Sequence, residues 1–310
     1  MRFFAPARNE IDPAVFERPP LSQWRAFDEL LRGADWPTVD ALNALSRVQT
    51  DLSSLRFVEQ TPALLGDGMH YETRIGEQDL VATRAGNWHD LFNALVWLRF
   101  AQLKRALNAR QVQEIATAGP KARTRAQCAL THFDEAGVVV VLRDPALLAL
   151  WDAHDWHGLF WRERCAWQDG RAVPIVFGHA LLEHALKPRQ LLVGKAIAVV
   201  VGDDSVYCDV DVDGDVCRSI VGAVADEIRR GDLLRDPQEL RPIPLSGIPG
   251  WLPENGVESF YFEAECFRPL RDGRRYPSAM KIDSVSRQPS SIARHAFPFS
   301  HREKVARSAS

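Results

Sequence analysis

"GNWHDLFNALVW", residues 86–97, sets four polar side chains, Asn87, His89, Asp90 and Asn93, among Trp88, Leu91, Phe92, Leu95, Val96 and Trp97. Apolar residues occupy most faces of a 3.6-residue period, so the segment reads as a buried helix, not a surface one. Asn87 is a favoured N-cap, able to bond the free N–H groups of the first turn. Asp90 stands where the acidic partner of a capping box would, near the positive end of the helix dipole. Helix initiation therefore accounts for both. His89 and Asn93 lie one turn apart on one face and, once buried, need partners. The helix N-terminus disfavours an imidazolium, so His89 is expected to be neutral, fit to be a base or a metal ligand. A core histidine bonded to a carbonyl is the plainer alternative.

Working outward, residues 1–20 form a proline-rich arm expected to wrap the surface. Short helices are expected at 21–33 and 36–47. Residues 70–84, "HYETRIGEQDLVATR", read as a hairpin of two strands around Gly76. A long helix from Trp88 to about Asn108 follows, with "ARQVQEIATAG" extending it or forming a helix of its own. "RTRAQCALTHFDEAG" is ambiguous between helix and strand. "VVVVL" (138–142) is a buried strand by composition. Asp144 and Pro145 start a helix expected to run to 164. "VPIVF" (173–177) is a strand leading into a helix over 178–188, a further strand lies within 190–201, and 216–234 is helical. Residues 241–256, with four prolines and three glycines, are read as a long ordered loop or a linker.

The net charge of −3 conceals an asymmetry. Residues 271–310 carry +6 and the preceding 270 carry −9. An acidic body is ill suited to neutralising nucleic-acid phosphates. The 271–310 segment has few aliphatic residues and no periodicity and is expected to be a disordered basic tail. The rest, 21–270, is expected to be one globular domain. No 18-residue uncharged apolar run suggests a membrane span, and five scattered cysteines without a CxxC pair suggest reduced thiols, so a cytoplasmic protein is expected.

Three further polar clusters bear on chemistry. In "VPIVFGHALLEHALKP" a buried strand runs through Gly178 into a helix begun by His179. His179 and Glu183, one turn apart, can hold a divalent metal or pair as base and orienter. Strand ends followed by helix starts are also where α/β proteins place ligands. "THFDEAG" supplies Asp134 and Glu135, read first as a turn in which Gly137 takes a positive φ. Arg123 and Arg125 belong to a run of six basic residues from Lys104 to Arg125, suited to a phosphate or carboxylate. "DVDVDGDV" (209–216) imitates a calcium loop, but its twelfth position is Ile220 where a bidentate glutamate is required. No Walker A, GxGxxG, GxSxG or HExxH is present.

The stretches "YETRI", "TRAGNWHDLFNALVWLRF", "LKRALNARQ", "ALTHFDEAG", "VFGHALLEHAL", "PLSGIPGW" and "CFRPL", in that order over roughly 71–270, resemble a proteobacterial family known as domain of unknown function 3025. Where that family usually has an aspartate before "ALT", this chain has Cys128. The resemblance implies no activity. It implies that the motif's polar groups belong to the family's pattern and that the chain after about Arg271 lies outside its domain. The fold expected is α+β, with mixed α/β as the variant: a helix-rich domain with a small central sheet. The function expected is a hydrolase-like enzyme for a small anionic molecule. His89, His179 and Asp134 would be catalytic, and Arg123, Arg125 and Asn93 would hold the ligand. A divalent metal would sit on His89, Asp90, His179 and Glu183. The alternative is a non-catalytic binding module for a phosphate or carboxylate ligand. Both require these groups to converge on one cleft.

Overall fold

A computed structural model describes residues 3–119, 122–202 and 214–282. Its helices, in chain order, include α1 (Val39–Arg47), α2 (Tyr71–Gln78), α3 (Trp88–Arg99), α4 (Ala101–Ala118), α5 (Arg125–Ala136), α6 (Pro145–Asp152), α7 (His179–His184) and α8 (Asp215–Arg230). Strands β1 (Arg56–Glu59) and β2 (Leu80–Thr83) pair in parallel as a separate ribbon. The main sheet has the order β4 (Ala172–Val176), β3 (Gly137–Leu142), β5 (Val193–Val201) and β6 (Arg241–Pro244). A short β7 (Met280–Ile282) pairs with β5 beyond β6, on the edge β3 leaves free. The β3–β5 pair is parallel, and β3–β4 and β5–β6 are antiparallel. Every residue of β3 is buried, which is what an unbroken run of valines requires. The result is an α+β fold, rich in helix and with a small sheet.

The 86–97 stretch forms a helix buried on nearly all sides, and Asn87 Oδ1 caps it by accepting from Asp90 N at 3.0 Å. The expected single long helix breaks at Phe100, whose φ of −122° and ψ of 46° are not helical. The helix then resumes as α4, which runs to a cap at Gly119.

The hairpin expected at 70–84 is replaced by α2 followed by β2. His70 Nδ1 accepts from Glu72 N at 3.3 Å to start the helix, and Asp79, with a left-handed φ of 56°, ends it. Arg74 and Ile75 are its buried residues. Gly76 is no turn: it lies where a Cβ would come within 2.9 Å of the Val112 side chain, so its lack of one lets α2 approach α4. The expected turn at "DEAG" is instead the last turn of α5, and Gly137 has a φ of −70°. The helix expected over 144–164 stops at Asp152, turns through His154 at a φ of 55°, and restarts as a π-helical turn over His157–Arg162. The first residues of the proline-rich 241–256 stretch form β6. The N-terminal arm does more than wrap the surface, because Val15 and Phe16 enter the core. Residues 280–282, expected in the disordered tail, return to the sheet as β7. The tail after residue 282 and most of the calcium-loop mimic lie outside the described residues.

One close approach positions the site. The N–H groups of Phe177 and Gly178 both donate to Gly137 O, at 2.9 and 2.8 Å. A Cβ on Gly178 would lie 2.4 Å from Gly137 N and 2.5 Å from Ala136 Cα, which is backbone and cannot yield. Glycine thus lets the end of β4 cross the α5–β3 junction, so that His179 begins its helix beside Asp134 and Glu135. Gly178→Ala is expected to lower stability by about 2 kcal/mol, the cost of forcing atoms into a packed site. Urea unfolding checks this, and an unchanged midpoint would show that the junction tolerates a methyl group.

Candidate functional site

Three side chains from three helices meet. His89 comes from the first turn of α3, Glu135 from the last turn of α5, and His179 is the first residue of α7. Nε2 of His89 lies 3.1 Å from Nε2 of His179. Glu135 Oε2 is 3.9 Å from the first and 3.6 Å from the second. The point equidistant from these three atoms lies about 2.1 Å from each, within the roughly 2.0–2.2 Å of zinc–nitrogen and zinc–carboxylate bonds. The outer nitrogen of each ring faces a carboxylate. Nδ1 of His89 is 3.2 Å from Glu183 Oε2, a hydrogen bond that fixes the ring. Nδ1 of His179 is 3.8 Å from Asp134 Oδ2, beyond hydrogen-bond range.

The two imidazoles are shifted in opposite directions. Burial and its cationic neighbour Lys104 outweigh the pull of Asp134 and lower the His179 pKa to about 3, so this ring is neutral. Burial also acts against protonation of His89. There the hydrogen bond to Glu183, with the charges of Glu135, Glu183 and Asp90, prevails and raises the pKa. The preference for a neutral His89 at the helix start is thus opposed by the nearby carboxylates. Burial and the charge of Asp134 push Glu135 up, whereas Lys104 and His179 hold Asp134 down against burial.

Around this group runs a chain of buried polar contacts. Lys104 Nζ donates to Asp134 Oδ1 at 2.7 Å and to Asn93 Oδ1 at 2.9 Å. Asn93 Nδ2 donates to the Tyr71 hydroxyl at 2.9 Å. Next along α2, Glu72 accepts from Asn108 Nδ2 at its carboxylate (2.7 Å) and its carbonyl (2.9 Å). These residues and the two histidines line one cavity of about 260 Å³.

A family model described as protein of unknown function (DUF3025) matches residues 55–271, which contain the whole cluster. The chain belongs to this family. No curated protein and no solved structure matches it.

In this DUF3025 domain, His89, His179, Asp134 and Asn93 share the cavity. Asp90 also lines it, but its carboxylate clamps Arg84, accepting from the backbone N at 2.7 Å, Nε at 3.0 Å and Nη2 at 2.7 Å. It is neither free for a metal nor the partner of a capping box. Glu183 stands behind His89 and orients it instead of joining the three-atom group. Arg125 is corrected as a ligand residue: its guanidinium pairs with Asp236 at the exposed surface, away from the cavity. Arg123, also exposed, donates to Thr131 Oγ1 at 2.8 Å and does not line the cavity. Sequence reasoning missed Glu135, set aside as a turn residue, and Lys104, read only as one member of the basic run and not as a partner of Asp134. It missed Tyr71 and Glu72 because the segment was assigned to a hairpin. A helical reading of 125–136 was the available signal, since it puts Leu130 and Asp134, and Thr131 and Glu135, on neighbouring rows.

Proposed function

We propose that this protein is a metal-dependent hydrolase whose ion sits on His89, His179 and Glu135. The observation that carries the reading is the triangle of Nε2, Nε2 and Oε2 with its centre at metal-bond distance from all three. Two histidines and a glutamate form a donor set of catalytic zinc, which keeps a fourth position for water. Bound to such an ion, water ionises near neutral pH and becomes a nucleophile. Glu183 supports the reading by holding the outer nitrogen of His89, the arrangement that fixes metal-ligating histidines. The cavity gives a substrate room beside the ion. The anion grip expected from Arg123 and Arg125 is not carried over, because neither arginine reaches the cavity.

Equilibrium dialysis of the metal-free protein against zinc tests this. One zinc ion per chain is expected, lost in His89→Ala, His179→Ala and Glu135→Ala and kept in Asp90→Asn and Arg125→Ala. No binding by the unmutated protein would refute it. Tighter binding of iron(II) than of zinc, measured without oxygen, would replace hydrolysis by oxygen chemistry, which uses the same ligand types. Glu183→Gln is expected to weaken zinc binding about ten- to hundred-fold, the usual cost of losing an orienting partner. An unchanged dissociation constant would deny Glu183 that role.

A further inference from the structure

The charges lining the cavity are nearly all settled in pairs. Asp90 is bound by Arg84, and Asp134 by Lys104. Glu135 faces the two histidines. Glu72 is the exception. Among the described residues its carboxylate has one neutral donor, Asn108 Nδ2 at 2.7 Å, and no cation within ion-pair distance. The cation that most favours its charged form, Lys104, already gives Nζ to Asn93 and Asp134. Burial and the negative charge of Asp134 both raise the Glu72 pKa. A carboxyl in that position gains from any positive group brought to it. Its placement suits a small ligand that also reaches the metal ligands. Asn93, which bonds the hydroxyl of Tyr71, the chain neighbour of Glu72, lies one turn of α3 from His89, a Cβ separation of about 6 Å. The volume, about 260 Å³, lies just below the roughly 300 Å³ at which ligand pockets begin, so only a small ligand fits.

We propose that Glu72 receives the protonated amino group of the substrate, so that the cavity takes amino-acid amides or the N-terminal residue of short peptides. This rests on the metal-hydrolase reading, with the carbonyl next to that amino group placed at the ion. In the reaction the water oxygen forms a bond to the carbonyl carbon and the carbon–nitrogen bond breaks. The leaving nitrogen takes up a proton from the water, giving a carboxylic acid and a free amine with no change of oxidation state. Tyr71 stands beside Glu72, and its hydroxyl, which accepts from Asn93, has no acceptor of its own among the described residues. It is placed to donate to an oxygen of the same ligand.

The test uses two probes that share a metal-binding group, leucine hydroxamate and isocaproyl hydroxamate, the second lacking only the amino group. Calorimetric titration of the zinc-loaded protein is expected to show leucine hydroxamate bound about ten- to hundred-fold more tightly, the worth of a charged hydrogen bond. In Glu72→Gln the preference is expected to vanish while isocaproyl hydroxamate binds as before. Equal binding of both probes by the unmutated zinc-loaded protein would overturn the role of Glu72 and leave the metal site standing. Failure to bind zinc would remove both. The comparison in the unmutated protein decides the matter even if Glu72→Gln folds poorly.

Discussion

Zinc added to the metal-free protein is expected to raise its unfolding free energy by about 4 kcal/mol when free zinc stands a thousand-fold above its dissociation constant. The effect follows from where the ligands come from. His89, Glu135 and His179 lie on three helices and are separated in sequence by more than forty residues at each step. They become neighbours only in the folded chain, so the unfolded state offers no comparable site and binding counts toward stability. Urea midpoints with zinc and with chelator measure it. His89→Ala and Glu135→Ala should show no zinc-dependent shift, while Arg125→Ala, whose arginine sits on the surface with Asp236, should shift as far as the unmutated protein. A midpoint that ignores zinc would sink the metal site. An equal shift in Glu135→Ala would show that the carboxylate is not a ligand.

Much of this arrangement was legible locally and little of it globally. The apolar surroundings of His89 and Asn93 mark α3 as buried, and the strand-to-glycine-to-histidine pattern marks His179 as a helix start. That the two rings face each other depends on Gly178 lying against Ala136 and Gly137, a contact between segments some forty residues apart. Residues 70–84 were misread because Tyr71, Thr73 and Ile75 alternate as a strand's would, although they form α2. The strand that does form there, β2, pairs in parallel with β1, and no turn signal announces a parallel partner. Glu135 was hidden by the resemblance of "DEAG" to a turn. Arg125 looked free because its partner, Asp236, stands 111 residues further on. In each case a local pattern had two physical solutions, and a distant contact selected one.

Acid should expose the neutral histidine. In the metal-free protein His179 is buried with its pKa lowered to about 3, against 6.5 for an ordinary histidine. As pH falls below 6.5 the unfolded chain takes up a proton on this residue that the folded chain refuses. The stabilisation is therefore complete above that pH and is lost progressively on the way down toward pH 3. Between about pH 7 and pH 5 the loss due to this residue is expected to be about 2 kcal/mol. His89 acts in the opposite sense. Its raised pKa gives stability that is present below 6.5 and disappears as pH rises through its folded value. The two rings therefore set a stability maximum between them, and His179→Gln isolates the acid limb because His89 is retained. Urea unfolding of both proteins in chelator at the two pH values gives the difference. If His179→Gln loses as much stability on acidification as the unmutated protein, His179 is not the group resisting protonation. The neutral lone pair assigned to it for the metal would then have no support.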